Sequence, residues 1–518
     1  MVSHCSRRGR GPPRKILGVK VICVAFGALW ALSGWAHAAD ITPTGCRDLA
    51  DARLGAAARV VSASVVAPEA SDKGGSLAWA PPQMRQLLKH APKFCRILVL
   101  SEPGRQSRIG VEVWLPLSVW NGRYLGTGNG GYPLSVMYPQ LMEGISEGYA
   151  TANTDLGLAA QVASLNQARL EPTEIFVDRP FALVDFGSRA THEMTWIAKS
   201  LIRLAYGSAP RRSYFDGCST GGMQAFSEIE RYPGDYDGVV AGAPGENRAR
   251  VHLSILWDFM SVWHRPAGIL SDSQLALIHS AVLKACASGG KPYLLNPSAC
   301  RWRPETLLCG RSDSGKIPCL TKEQVETVDL LYRGPRNPRT GEQYMVGLPR
   351  GSELGWSMYM RQAGRELPFR GLFAFALGPH FSFQTFDWDR DAETFIATTA
   401  PYFDATDPDM RAFVRRNGKL LWYHGGADPL APLGDDIQFY HAMKQEMTGA
   451  GLTATAFHSA FRFYVLPGMS HCAGGEGPDH FDRLQIISNW VEHASPPDTL
   501  IVSKNGGQSE RLTPLSAP

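Results

Sequence analysis

The chain has 518 residues, 44% hydrophobic and 19% charged. That balance excludes a collagenous, coiled-coil or disordered chain and leaves a globular protein of one or two domains with ample core. The formal charge is +4, and no basic run follows residue 38, which argues against a nucleic-acid partner.

Residues 1–38 read as a secretory signal peptide. Arg7, Arg8, Arg10, Arg14, Lys15 and Lys20 are its only charges, followed by the apolar run "VICVAFGALWAL". Ala36-His37-Ala38 is a small-x-small cleavage site. The apolar run is short of the roughly 20 residues a membrane span needs. No membrane association is expected after cleavage, and the expected location is secreted or periplasmic. Removing those six positive charges from the formal +4 leaves −2.

Eight cysteines follow the leader: Cys46, Cys95, Cys218, Cys286, Cys300, Cys309, Cys319 and Cys472. An even number in an exported chain points to disulfides, although spacing alone does not choose the pairs. No CxxC pair and no Cys/His cluster of zinc spacing occurs, so no metal site is expected.

From there strand-like and helical stretches alternate. "IGVEVWLPL" (109–117), "GRYLGTGNGG" (122–131) and "GYATANTDLG" (148–157) read as strands. "RATHEMTWIAKSLIRLAYG" (189–207) has helical spacing and stops at Gly207. "RSYFDG" is a strand entering a turn at Ser219, "GMQAFSEIERYP" a helix ending before Pro233, and "GVVAGAP" (238–244) a buried strand. Residues 250–395 break the rhythm, with four cysteines, many prolines and aromatics, and no clean alternation. Alternation returns with "GKLLWYHGGADPL", "FRFYVLPGMSHC" and a final helix, "DHFDRLQIISNWVEHA". The reading is an α/β fold: a first core part (39–249), an inserted lid domain (250–395) and a second core part (396–518).

A serine hydroxyl needs a base to take its proton and a carboxylate to hold that base. In α/β-hydrolase chains these follow in the order Ser, acid, His, each after a strand. Ser219 lies in Gly217-Cys218-Ser219-Thr220-Gly221, between a strand and a helix. Asp428 follows "LLWYHGGAD" and His471 follows "FYVLPGMSH". GxSxG alone is a weak signal; the three residues in order on strand ends are the catalytic candidates. Asp435 and Asp436 are rival acids on the next helix, and Asp404, Asp407 and Asp409 precede the strand. His424 lies inside a strand and reads as a packed or supporting residue. The Thr220 amide and those of Gly130 or Gly131, in the "GTGNGG" turn, are the candidate oxyanion donors.

These stretches identify a resemblance. "WNGRYLGTGNGGY", "YFDGCSTGG", "YPGDYDGVVAGAP", "CLTKEQVETVDLLYRGPRNPRTGEQ", "WYHGGADPLAP" and "LPGMSHCAGG" are similar to the tannase and feruloyl esterase family, which includes mono(2-hydroxyethyl) terephthalate hydrolase. The resemblance implies an α/β-hydrolase fold with a large inserted lid. It implies a serine carboxylesterase acting on small aromatic acid esters: feruloyl, hydroxycinnamoyl or galloyl esters, with terephthalate monoesters as the alternative. It implies a Cys218–Cys472 disulfide tying nucleophile to base, and family order adds Cys46–Cys95, Cys286–Cys300 and Cys309–Cys319. A serine peptidase or an inactive binding protein on the same fold are the rival classes.

Two further expectations concern the lid. Its aromatics, Trp356, Phe369 and Phe381 among them, would suit a flat acyl group, and Arg361 could meet a carboxylate or phenol. The family's lid opens on a cysteine and an aspartate-rich calcium loop. Here that stretch is "CASGGKPYLLNPSAC", without Asp or Glu and with Lys291. Calcium favours several oxygen ligands, commonly carboxylates, so the calcium site is expected to be lost and no cofactor is expected.

Overall fold

The computed structural model describes residues 40–515, apart from 69–76, 78, 81, 161–171, 311–317, 364, 366, 368, 505, 506 and 508. The leader, 1–38, lies outside the described residues.

Nine strands form one sheet: β1 (Ala58–Val66), β2 (Phe94–Ser101), β3 (Ile109–Pro116), β4 (Arg123–Thr127), β5 (Ala150–Thr154), β6 (Arg212–Cys218), β7 (Gly238–Gly242), β8 (Lys419–Gly425) and β9 (Phe461–Leu466). Their order is β1-β2-β3-β5-β4-β6-β7-β8-β9. Pairings from β1 through β3 to β5 are antiparallel. Those from β5 through β4, β6, β7 and β8 to β9 are parallel.

Period-two alternation explains why these segments are strands. Phe215, Val239, Leu420 and Phe463 enter the core on one face. Their neighbours Tyr214, Val240, Leu421 and Tyr464 enter a second core on the other. β5, β7 and β8 are buried at every position, as parallel strands covered on both faces must be.

Helix α1 (Ala190–Tyr206) packs on β3, β4 and β5, and α2 (Thr220–Arg231) on β6 and β7. Between β7 and β8 lie α3 (Arg248–Trp263), α4 (Asp272–Cys286), α5 (Lys322–Arg333), α6 (Arg370–Leu377) and α7 (Asp391–Phe403). Among the described residues of this stretch, none joins the nine-stranded sheet. Helices α4 and α5 start at capping boxes, Ser271 with Gln274 and Thr321 with Gln324. Their apolar faces share the first core with the sheet. Helix α8 (Leu433–Gly449) follows β8, and α9 (Arg483–His493) covers β6, β7 and β8 on the second face.

Four disulfides are present: Cys46–Cys95, Cys218–Cys472, Cys286–Cys300 and Cys309–Cys319. The first ties the N-terminal segment to β2; the third and fourth close short loops of the insert.

Asp404, just after α7, ties the end of that helix to α2 and α3. Its Oδ1 accepts the Ala249 amide at 2.9 Å, and its carbonyl accepts from Arg231 at 2.7 Å. Burial pushes its carboxyl up to about 7. The unfolded value is near 3.9, so the folded state holds this proton longer. Stability from this group therefore falls as pH rises from about 4 to about 7. Asp404→Asn keeps the acceptor and removes the ionisation. Thermal melts should place the variant above the parent at pH 8 and level with it at pH 4; equal melting at pH 8 contradicts the assignment.

Candidate active site

β6 passes into α2 through one residue. Ser219 has φ 62° and ψ −120°, a conformation that costs on the order of 1–3 kcal/mol for a non-glycine residue. The turn is tight enough to demand glycine beside it. A Cβ on Gly217 would lie 2.5 Å from the Gly221 carbonyl oxygen, and one on Gly128 would lie 2.5 Å from the Gly221 Cα.

That contact brings the turn after β4 against the start of α2. The Gly221 amide donates to the Asn129 carbonyl at 2.7 Å, and the Thr220 hydroxyl to the Gly131 carbonyl at 2.8 Å. The Asn129 amide donates to Gln224 Oε1 at 2.8 Å. The amides of Thr220, Gly130 and Gly131 donate to no acceptor among the described residues.

Asp428 follows β8 and is fully buried. Its Oδ1 accepts the amides of Leu430 (2.8 Å) and Ala431 (3.0 Å), and its Oδ2 lies 2.7 Å from His471 Nδ1. Burial alone would raise this carboxyl. The charge of His471 and hydrogen bonds from His424 and His471 outweigh it and hold the group well below the usual carboxylate range. The ionised carboxylate only accepts, so His471 Nδ1 carries the proton and Nε2 is the basic nitrogen. That Nε2 is buried without a partner among the described residues. The rival acids lie elsewhere. Asp436 Oδ2 accepts from Trp422 and His424, and Asp435 Oδ2 is buried without a partner among the described residues.

His471 reaches this place because the chain after β9 crosses the end of β8. Gly425, the last residue of β8, permits the crossing: a Cβ there would lie 2.3 Å from the Ser470 carbonyl oxygen. The Gly426 and Ala427 amides hold the crossing chain at Leu466 and Met469. The Cys218–Cys472 bond, with Cα atoms 5.9 Å apart, completes the juxtaposition.

Ser219, His471, Gly130 and Gly131 line one cavity of about 530 Å³. Val251, Ile255 and Phe259 of α3, with Met358 and Phe369 of the insert, form its apolar wall. Three polar residues interrupt that wall. His252 Nδ1 donates to the Arg248 carbonyl at 2.8 Å. Burial, then the charge of Arg248, keeps this ring well below its ordinary value and neutral, so Nε2 accepts from the Tyr132 hydroxyl. Arg248 Nη2 donates to Thr220 Oγ1 at 3.1 Å, and no carboxylate pairs with Arg248 among the described residues. Sequence reasoning missed all three, because Tyr132 and the two α3 residues meet only in the fold.

The three residues expected as substrate contacts are not among those lining the cavity. Trp356 is 0% exposed and donates to Ser352 Oγ; it is core. Arg361 is 71% exposed and faces Asp272 at 3.7 Å; it is surface. Phe381 packs against Phe373 and Phe383, so its ring is occupied by other lid aromatics. Of the lid aromatics named, Phe369 alone lines the cavity.

Comparison with known proteins bears on the family and the fold. The family model for tannase and feruloyl esterase matches residues 95–368 and 372–515. A probable feruloyl esterase B-2 of Aspergillus fumigatus is 30% identical over 433 residues, covering 78% of each chain. An uncharacterized esterase of Xanthomonas campestris pv. campestris is 29% identical over 464 residues, 81% of this chain and 78% of that one. Among solved structures, feruloyl esterase B from Aspergillus oryzae superposes with a TM-score of 0.77 at 24% identity, over 91% of this chain and 95% of that one. Tannin acyl hydrolase from Aspergillus niger gives 0.72 at 20% identity over 92% of each; at these identities the two structures speak to the fold. With an α/β-hydrolase fold and a family model matched over most of its length, the chain belongs to the tannase and feruloyl esterase family and is a carboxylic ester hydrolase.

Proposed function

We propose that the chain is an exported serine esterase that hydrolyses feruloyl, other hydroxycinnamoyl or galloyl esters through Ser219, His471 and Asp428. The observation that carries this reading is the 2.7 Å contact of His471 Nδ1 with buried Asp428, which leaves Nε2 free on the cavity that Ser219 lines. His471 Nε2 takes the Ser219 proton as Oγ attacks the ester carbonyl. The amides of Thr220 and of Gly130 or Gly131 receive the oxyanion. His471 then gives its proton to the leaving alcohol. Water enters, loses a proton to Nε2 and attacks the acyl-enzyme, and the acid leaves as Ser219 regains its proton.

The apolar wall of Phe259, Phe369 and Met358 supports a flat aromatic acyl group. Arg248 favours a second reading, terephthalate monoesters, because an unpaired guanidinium on the cavity wall complements a substrate carboxylate. Relative kcat/KM on methyl ferulate, methyl gallate and a terephthalate monoester separates the two.

Export is supported by four disulfides. Among the described residues no helix is long and apolar enough to cross a membrane.

Calcium does not fit the loop closed by Cys286–Cys300. It contains no carboxylate, and Lys291 in it already pairs with Glu510. Melting temperature should be the same in millimolar calcium and in chelator, and a calcium-dependent rise would overturn this.

Ser219→Ala should lower kcat by about 10⁴-fold or more on an activated aryl ester with the fold intact; retained turnover would sink the triad reading. The Cys218→Ala/Cys472→Ala pair should reduce kcat on the order of 100-fold by loosening the base against the nucleophile. Unchanged kcat in that pair would show that the bond only staples loops.

A further inference from the structure

The line of contacts through Ser219, His471 and Asp428 does not stop at the acid. His424, in β8, is 0% exposed. Its Nδ1 lies 2.7 Å from Asp436 Oδ2 on α8. Its Nε2 lies 3.0 Å from the Ala431 carbonyl and 3.2 Å from Asp428 Oδ2. Both ring nitrogens therefore face acceptors. Asp436 Oδ2 also accepts the Trp422 indole at 2.9 Å, so the indole and the His424 ring converge on one oxygen. A neutral imidazole donates from one nitrogen only, whereas an imidazolium donates from both.

Other charged groups surround this ring. Glu246 is fully buried, with both oxygens unpartnered among the described residues. Burial, then Asp436 and Asp435, pushes its carboxyl far up. Burial pushes Asp435 up to about 7, with Arg250 opposing. Burial thus favours the neutral forms of Glu246 and Asp435, and Asp428 and Asp436 are the carboxyl groups that lie against the His424 ring. Burial alone would neutralise His424; Asp436 and Asp428 reverse that and keep the ring charged.

We propose that His424, an imidazolium held between Asp436 and Asp428, is a positioning residue for ester hydrolysis that fixes the catalytic carboxylate and offsets part of its charge toward His471. The inference rests on the triad reading above. Two amides fix Asp428 Oδ1, while Oδ2 holds His471 Nδ1 at 2.7 Å and lies 3.2 Å from His424 Nε2, which is hydrogen-bonded to the Ala431 carbonyl. Rotation of the carboxylate is thereby blocked. The charge acts in a second way. A cation beside Asp428 opposes a proton on His471, so the base is free at lower pH. If His424 loses its charge, Asp428 holds the His471 proton more tightly. The acid limb of kcat/KM, which requires neutral His471, then moves to higher pH.

Asp436→Asn tests this with little change of shape, because it leaves His424 without its counter-charge. His424→Gln removes the ring itself. Steady-state kinetics on an activated aryl ester between pH 5 and 9 should show kcat lowered about 10-fold or more, KM within about 3-fold, and the acid limb raised by about 0.5–1 unit. Nitrogen-15 histidine spectra provide a readout that does not depend on activity. One ring should keep both N–H protons to pH 9, assigned by its loss in Asp436→Asn. Among the described residues His279, which bridges Glu353 and Glu476, also has a carboxylate at each ring nitrogen, and Glu476→Gln distinguishes it.

The proposal is overturned if Asp436→Asn keeps kcat and the acid limb while only melting falls. It is equally overturned if His424 carries a single N–H at neutral pH. Ser219→Ala separates the layers. Turnover in that variant defeats the triad reading itself; an inactive Ser219→Ala beside a fully active Asp436→Asn defeats the role of His424 alone.

Discussion

The geometry of the site depends on one long reach. Ser219 ends β6 and His471 follows β9, yet β7 and β8 lie between those strands. At about 4.8 Å per strand, the two ends stand roughly 14 Å apart. The chain after β9 must therefore come back across the sheet's edge to meet Ser219. Gly425 lets it pass over β8, backbone bonds from Gly426 and Ala427 hold it there, and Cys218–Cys472 brings the two Cα atoms to 5.9 Å. Asp428 sits beneath the crossing, where it can accept His471 Nδ1. The disulfide closes a separation of 254 residues, so it constrains chain segments that are otherwise joined only through the whole fold.

Electrostatics follow from the same crossing. Asp428 is completely buried beside the loop that carries His471, and an isolated buried carboxylate would take up a proton. The two imidazoles and two amides keep it charged. The cavity wall carries the reverse problem, a buried guanidinium at Arg248 without a carboxylate partner among the described residues. Its bond to Thr220 places positive charge beside the amide proposed to receive the oxyanion. Arg248 thus lines the same cavity as Ser219, His471 and the glycine turn, while Asp428 lies buried behind His471.

Much of this was legible in the residues. Strand–helix alternation placed Ser219, Asp428 and His471 on strand ends, because buried parallel strands read as short apolar runs bounded by glycine. The antiparallel strands β1 and β2 were not read. β1 is an edge strand of mixed exposure, so its apolar period is blurred. The cavity wall was read poorly for a different reason. Composition showed an aromatic lid, but not which rings face each other; Phe381 stacks within the lid while Phe369 turns to the cavity. The trio of Tyr132, Arg248 and His252 joins segments on either side of β6 and β7, so no local spacing could announce it. His424 was visible only as a histidine in a strand, because its two carboxylates come from the following loop and from α8.

The most direct test of the central claim is the adduct formed with an aryl fluorophosphonate. The account predicts one equivalent bound to Ser219 Oγ. In a crystal structure of the adduct, the phosphoryl oxygen should lie within hydrogen-bond distance of the Thr220 amide and of Gly130 or Gly131. Labelling at another residue, or a hydrolytically active protein that takes no label, would contradict it.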